Sequence, residues 1–276
     1  ATPAPPMAPL HHLRTDPGAF DKIHSMTHQL PWLSETDAFP AVETAWGMQD
    51  PLPGLLAAGG KLDASSLQDA YRQGIFPWFS TGQPILWWST DPRMVLRVAD
   101  FRLHRSLRRV LQKFRKTPGC EIRIDTAFEP VMRACAQTPR EGQDGTWIVE
   151  SIVAAYTALH RLGKAHSVET WVNGQLVGGL YCVALGRAVF GESMFAHATD
   201  ASKIALAALV GLCRHQGATQ IDCQQATHHL ASLGAQEMPR SQFLQEVRRQ
   251  RDAPDMQWQF QSVYWDAILP PLTEAA

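Results

Sequence analysis

Two strand-like words, FGESMF at 190–195 and QIDCQ at 220–224, flank a helix opening at Ala201-Ser202-Lys203 and set three polar side chains, Glu192, Asp222 and Gln224, among apolar neighbours. Strand side chains alternate between the two faces, so Asp222 and Gln224 are expected to project together while Ile221 and Cys223 point the other way. A carboxylate beside an amide in apolar surroundings must satisfy every polar atom. Two readings fit that demand: a substrate with hydrogen-bonding groups, or a polar network closed on itself. Cys223 with His229 would be an alternative nucleophile and base, but alternation turns the thiol away from the acid and amide. Cys223, His228 and His229 lack a fourth ligand at zinc spacing, so no metal is expected.

The elements that must position these groups read as alternating helices and strands. TWIVESIVAAYTALHRLG puts Ile148, Ile152, Ala155, Tyr156 and Leu159 on one helical face and stops at Gly163. Three strands follow, HSVETWV, QLVGGLYCVAL and AVFGESMF, the first two joined by Asn173-Gly174, a type I′ hairpin signal. A helix over 201–216 then buries Ala205, Ala208, Leu209 and Leu212 and leads into QIDCQ. Helix, antiparallel strands, helix, strand is a mixed α/β (α+β) order, and with a bent central sheet it is the order that an N-acetyltransferase-like (GNAT) fold requires.

Ahead of this lies a stretch rich in Pro, Gly and aromatics, read as a small α+β domain over 29–92 before the larger GNAT-like domain over 93–276. Asp63 or Ser65 caps a short helix through Leu67, Ala70 and Tyr71 that ends at Gly74, and Pro77 prevents its continuation. Trp78 follows in a Pro-bounded turn, either packed or serving as a binding platform. PILWW after Ser80-Thr81-Gly82 is expected to be a return strand.

FRLHRSLRRVLQKFRK, 101–116, carries seven Lys and Arg and no acid. Leu103, Leu107, Val110, Leu111 and Phe114 form one stripe, and Arg102, Arg105, Arg109, Lys113 and Lys116 another. Such a face is either simply solvated or a local contact for a phosphate backbone. The net charge of -1 excludes general coating of nucleic acid, so any contact must come from a local patch. Five cysteines without CxxC spacing read as reduced thiols. The first 28 residues have no apolar run of signal-peptide length and are expected to be a flexible extension. No run is long enough to span a bilayer, so the expected location is the cytoplasm.

In chain order the words GLLAAGG, YRQGIFPWF, ILWWSTDPR, GTWI, AHSVETW, LVGGLY, GESMF, ASK, IDCQ and HLASLGA closely resemble those of the leucyl/phenylalanyl-tRNA–protein transferase family, from Phe39 to about Phe243. The chain departs from the family's more usual SPDP at Ser89-Thr90-Asp91-Pro92, and Leu180 and Leu209 replace larger apolar pocket residues. The resemblance implies a GNAT-like domain that binds the 3′ end of an aminoacyl-tRNA in place of acetyl-CoA, with no cofactor. The residues agree, since the turn MFAHATDASK has no glycine to cradle pyrophosphate and Asp200 would repel it.

What the resemblance implies for the site is specific. Trp78 and Trp147 stack on the terminal adenosine, and Arg105, Arg109 and Lys113 hold acceptor-stem phosphates. Leu180, Met194, Leu209 and Ile221 line the pocket for the aminoacyl side chain. Leucine or phenylalanine, with methionine as a further donor, passes to proteins whose N-terminal residue is Arg or Lys, marking them for degradation. Asp222 is expected to orient and polarise Gln224, which accepts a hydrogen bond from the attacking amine, and Glu192 to position the amino groups. Competing readings are a small-molecule acetyltransferase, a cell-wall aminoacyltransferase and a non-catalytic tRNA-binding protein.

Overall fold

The computed structural model describes residues 30–138 and 148–269. The expected extension over 1–28 lies outside them, as does Trp147.

A four-stranded sheet comes first, built from β1 (Trp32–Leu33), β2 (Leu55–Gly59), β3 (Phe76–Pro77) and β4 (Leu86–Trp88) in the order β1-β2-β4-β3. Helix α1 (Ala64–Arg72) joins β2 to β3. The Asp63 carboxylate accepts the Ser66 N–H at 2.8 Å and so caps its start, and Gly74, at φ +71°, takes the chain out of its last turn.

The chain crosses to a second sheet between Trp88 and Arg93. Its strands are β5 (Arg93–Arg97), β6 (Cys120–Ile124), β7 (Ala165–Val172), β8 (Gln175–Leu185), β9 (Ala188–Ala196), β10 (Gln220–Gln224) and β11 (Gln236–Met238), ordered β11-β5-β10-β9-β8-β7-β6. Asn173 and Gly174, at φ +51° and +77°, make the tight turn between β7 and β8. The helices are α2 (Arg105–Lys116), α3 (Phe128–Gln137), α4 (Glu150–Arg161), α5 (Ala201–Gln216), α6 (His228–Ser232) and α7 (Arg240–Arg251). No helix among the described residues is long and apolar enough to cross a membrane.

Alternation along the strands gives the sheet two buried faces. On β8, Tyr181 and Val183 join a core with the four-stranded sheet, α1, α3, α4 and α7, whereas Leu180 and Cys182 join a core with α2, α5 and the segment Ser262–Ala267. The basic segment is helical only from Arg105, not from Phe101. Ahead of it the Arg102 N–H donates to the Leu233 carbonyl and the His104 ring meets the Ser232 carbonyl, so the end of α6 holds those residues out of the helix.

Two irregularities shape the middle of the sheet. β9 and β10 are parallel and pair only at Val189 with Ile221 and at Phe190 with Asp222, after which they part. Each also carries a surplus residue. The β8–β9 ladder steps from Ser193 to Gly191 and leaves Glu192 unopposed, and the β5–β10 ladder steps from Asp222 to Gln224 and leaves Cys223 unopposed. Such bulges bend a strand and re-aim its side chains.

Candidate active site

The gap between β9 and β10 opens into a cavity of about 290 Å³, walled by Leu180, Met194, Leu209 and Ile221 on its apolar side and by Glu192 and Gln224 on its polar side. Leu180, Leu209 and Ile221 come from β8, α5 and β10 and are almost fully buried, while Met194 on β9 is half-buried. Trp78, in the stretch after β3, also lines the cavity. Its ring lies edge-on to Trp88 at 5.6 Å, and the Trp88 indole N–H donates to the Trp78 carbonyl at 2.7 Å, which fixes the turn.

Glu192 sits at the centre of the polar wall. Its Oε2 accepts from the Tyr156 hydroxyl and its Oε1 from the Gln224 amide Nε2, both at 3.2 Å. The Tyr156 hydroxyl is in turn 2.5 Å from that of Tyr71, so a chain of polar tips runs from α1 through α4 to the cavity. Burial pushes the Glu192 carboxyl up to about 8; the hydroxyls of Tyr71 and Tyr156 oppose this and the charge of Asp222 adds to it. Both tyrosines are fully buried, which drives their hydroxyls well above the usual phenol range and keeps them neutral donors.

Asp222 faces elsewhere. Its Oδ1 and Oδ2 accept from Arg93 Nε and Nη2 at 2.8 and 2.6 Å, with both side chains sealed from solvent. Oδ1 also accepts the backbone N–H of Gln224 at 2.9 Å, so Asp222 reaches Gln224 through its peptide and not through its amide. Alternation placed Asp222 and Gln224 together and Cys223 apart; instead Cys223 lines the cavity beside Gln224 and Asp222 does not. The surplus residue at Cys223 and the left-handed backbone of Gln224, φ +54°, break the two-residue rhythm. Burial pushes the Cys223 thiol up to about 12, which leaves it protonated and unsuited to act as a nucleophile with His229.

Arg105, Arg109 and Lys113 are exposed on α2 and pair with no acid among the described residues; none of them lines the cavity. At the start of α5, a Cβ on Gly178 would fall 2.4 Å from that of Ala201, and the Thr170 hydroxyl donates to the Ala201 carbonyl at 2.8 Å. Asp200 stands there ion-paired with Lys203 at 2.8 Å and caps none of the helix N–H groups. No three His, Cys, Asp or Glu side chains among the described residues gather as a metal ion would require.

Arg93, Tyr71 and Tyr156 join this site beyond the residues that the sequence marks for it. Arg93 carried a signal, a cation opening the apolar run RMVLR, which must find a buried acid if that run is a central strand. The tyrosines stood on apolar helical stripes, where a phenol needs a partner for its hydroxyl.

Among solved structures the chain is distantly similar to L-PGS from Bacillus licheniformis, at 13% identity over 62% of this chain and 54% of that one, TM-score 0.36. It is also similar to a GCN5-related N-acetyltransferase from Kribbella flavida, at 12% identity, 62% and 60% coverage and TM-score 0.32. The family model described as leucyl/phenylalanyl-tRNA protein transferase matches residues 95–248, and the one for that protein's N-terminal domain matches 60–91. A leucyl/phenylalanyl-tRNA–protein transferase of Polaromonas sp. is 62% identical over 87% of this chain and 94% of its own length. One of Albidiferax ferrireducens is 60% identical over 90% and 98%. Likeness of that extent, with Glu192, Asp222 and Gln224 inside the matched span 95–248, means that this chain belongs to the leucyl/phenylalanyl-tRNA–protein transferase family of aminoacyltransferases.

Proposed function

We propose that the cavity between β9 and β10 receives the aminoacyl end of Leu-tRNA or Phe-tRNA, with Met-tRNA as a further donor, and that the acceptor is the α-amine of a protein beginning with Arg or Lys. The observation that carries this reading is an apolar chamber with a carboxyl and an amide on one wall and an indole, Trp78, on its lining. Leu180, Met194, Leu209 and Ile221 would hold the side chain of the donor amino acid, and the unbranched Met194 suits a pocket that takes both leucine and phenylalanine. Trp78 and Trp147 would stack on the terminal adenosine, a contact of about 1–3 kcal/mol per base that ignores most of the tRNA sequence. Arg105, Arg109 and Lys113 would meet acceptor-stem phosphates. The residues over 29–92 and 93–276 act as a small and a catalytic domain, and the protein works in the cytoplasm.

The acceptor nitrogen attacks the ester carbonyl, a C–N bond forms, the bond to the ribose oxygen breaks, and that oxygen leaves with the proton the amine gives up. An α-amine with a pKa of about 7.7–8.0 is already partly neutral near pH 7, so orientation is the larger task. Gln224 accepts a hydrogen bond from the amine, Asp222 orients Gln224 through the Gln224 peptide N–H, and Glu192, in the fraction that is ionised, offers negative charge to the amino groups. The ribose hydroxyl of the tRNA is a second route for the proton. The added residue marks the acceptor for degradation.

Incubation with labelled Leu-tRNA and a peptide beginning with Arg tests the proposal. Label should move to the peptide and should not do so once the tRNA has been treated with RNase; binding without transfer would leave a tRNA-binding protein.

A further inference from the structure

We propose that Arg93 is a positioning residue of the transfer reaction: it clamps Asp222 so that this carboxylate holds the backbone of Gln224 in its left-handed turn and aims the amide into the cavity. The inference rests on the reading above in which Gln224 meets the substrate. Arg93 opens β5 and its guanidinium is completely enclosed. It makes two hydrogen bonds to Asp222 and a third from Nη1 to the Gly74 carbonyl at 3.2 Å, and it packs on the rings of Phe76 and Phe243 at 4.7 and 4.6 Å. This joins the end of α1, helix α7 and strand β10 at one planar group.

Asp222 has little freedom left. Both oxygens are taken by Arg93, and Oδ1 also accepts the Gln224 N–H at 2.9 Å. Gln224 needs that bond, because a non-glycine residue at φ +54° is in a backbone region that the L side chain disfavours and that persists only where its surroundings over-determine it. The Thr90 hydroxyl supplies the second tether, donating to the Gln224 carbonyl at 3.2 Å. From this turn the Gln224 side chain reaches Glu192. Arg93 also touches the cavity wall through the Phe76 ring, so the line through Asp222 and the Gln224 peptide is the one that a cycle with Gln224 isolates.

A double-mutant cycle tests it, with kcat and KM for Leu-tRNA measured on Arg93→Lys, Gln224→Ala and the pair. Arg93→Lys keeps the charge but loses the fork, and kcat should fall by about ten- to a hundredfold with KM within about twofold. In the Gln224→Ala background, where no amide remains to be aimed, Arg93→Lys should cost less than about twofold more. Asp222→Asn, nearly isosteric and still able to accept the Gln224 N–H, is the second variant should the lysine substitution unfold, and it should show the same loss of effect in that background. Losses that multiply fully, or an unchanged kcat in both Arg93→Lys and Asp222→Asn, would overturn the proposal. Gln224→Ala alone leaving kcat unchanged would instead overturn the reading of the site on which it stands.

Discussion

The Gln224 amide donates through Nε2 to Glu192 across the gap between β9 and β10, which leaves the Gln224 Oε1 to accept from whatever enters the cavity. The direction of that amide therefore depends on whether Glu192 is a carboxylate, and the electrostatics of one residue become the geometry of the other.

With the Glu192 carboxyl pushed up from 4.5 to about 8, the carboxylate forms only as the pH rises through that value. We expect kcat/KM to climb with pH across this limb, and Glu192→Gln to remove it while the limb set by the acceptor amine persists in both proteins. In stability the sign is opposite. The folded chain keeps a proton that the unfolded chain releases between 4.5 and about 8, so stability from this group is full below 4.5 and is lost as the pH rises to about 8. Denaturant midpoints of Glu192→Gln should lack that fall.

Tyr156→Phe removes a hydroxyl that donates to Glu192 and so favours its charged form. The Glu192 limb of the pH–rate profile should move to higher pH, and the loss of a buried hydrogen bond should lower stability by about 1–2 kcal/mol in urea titrations. A profile unmoved by the substitution would show that the tyrosine chain has no hold on the carboxyl.

Met194→Ala enlarges the cavity on its apolar side. Competition between Phe-tRNA and Leu-tRNA should swing towards phenylalanine by about tenfold, the worth of a methylene or two in an apolar pocket. Equal losses for both donors would place Met194 away from the donor side chain.

Arg105→Ala and Arg109→Ala remove exposed cations from α2 without touching the cavity. Each should raise KM for aminoacyl-tRNA and lower the slope of log affinity against log salt by about one, leaving transfer from a minimal aminoacyl-adenosine unchanged. An unaltered salt slope would return the helix to a merely solvated face.

Gly178→Ala puts a methyl group 2.4 Å from the Ala201 Cβ and 2.9 Å from its carbonyl carbon. The start of α5 must lift off the sheet, and thermal unfolding should register a loss of about 1–3 kcal/mol.

The elements with strong periodicity were legible in the sequence: the hairpin at Asn173-Gly174, the buried face of α5 and the capped helix after Asp63 all follow from local rules. The pocket residues Leu180, Met194, Leu209 and Ile221, which came from the family resemblance, are brought together at one cavity. What alternation could not give was the placement of Asp222 and Cys223, because a bulge is a property of two paired strands and leaves no mark in either one alone. The role of Arg93 is hidden in the sequence for a related reason. Its partner lies 129 positions away, and only the pairing of β5 with β10 makes the two neighbours. β6, α3 and α7 add sheet edge and cover, and they follow from tertiary packing more than from any local signal.

The unopposed residues Glu192 and Cys223 mean that this centre is encoded by strand length as much as by side-chain type. Removing one amino acid at either place would let the rungs of that ladder pair evenly and re-aim the side chains beside it, with almost every hydrophobic contact of the protein still available. A single-codon deletion there is expected to leave a well-folded but inert protein, a lesion different in kind from any substitution at the same position.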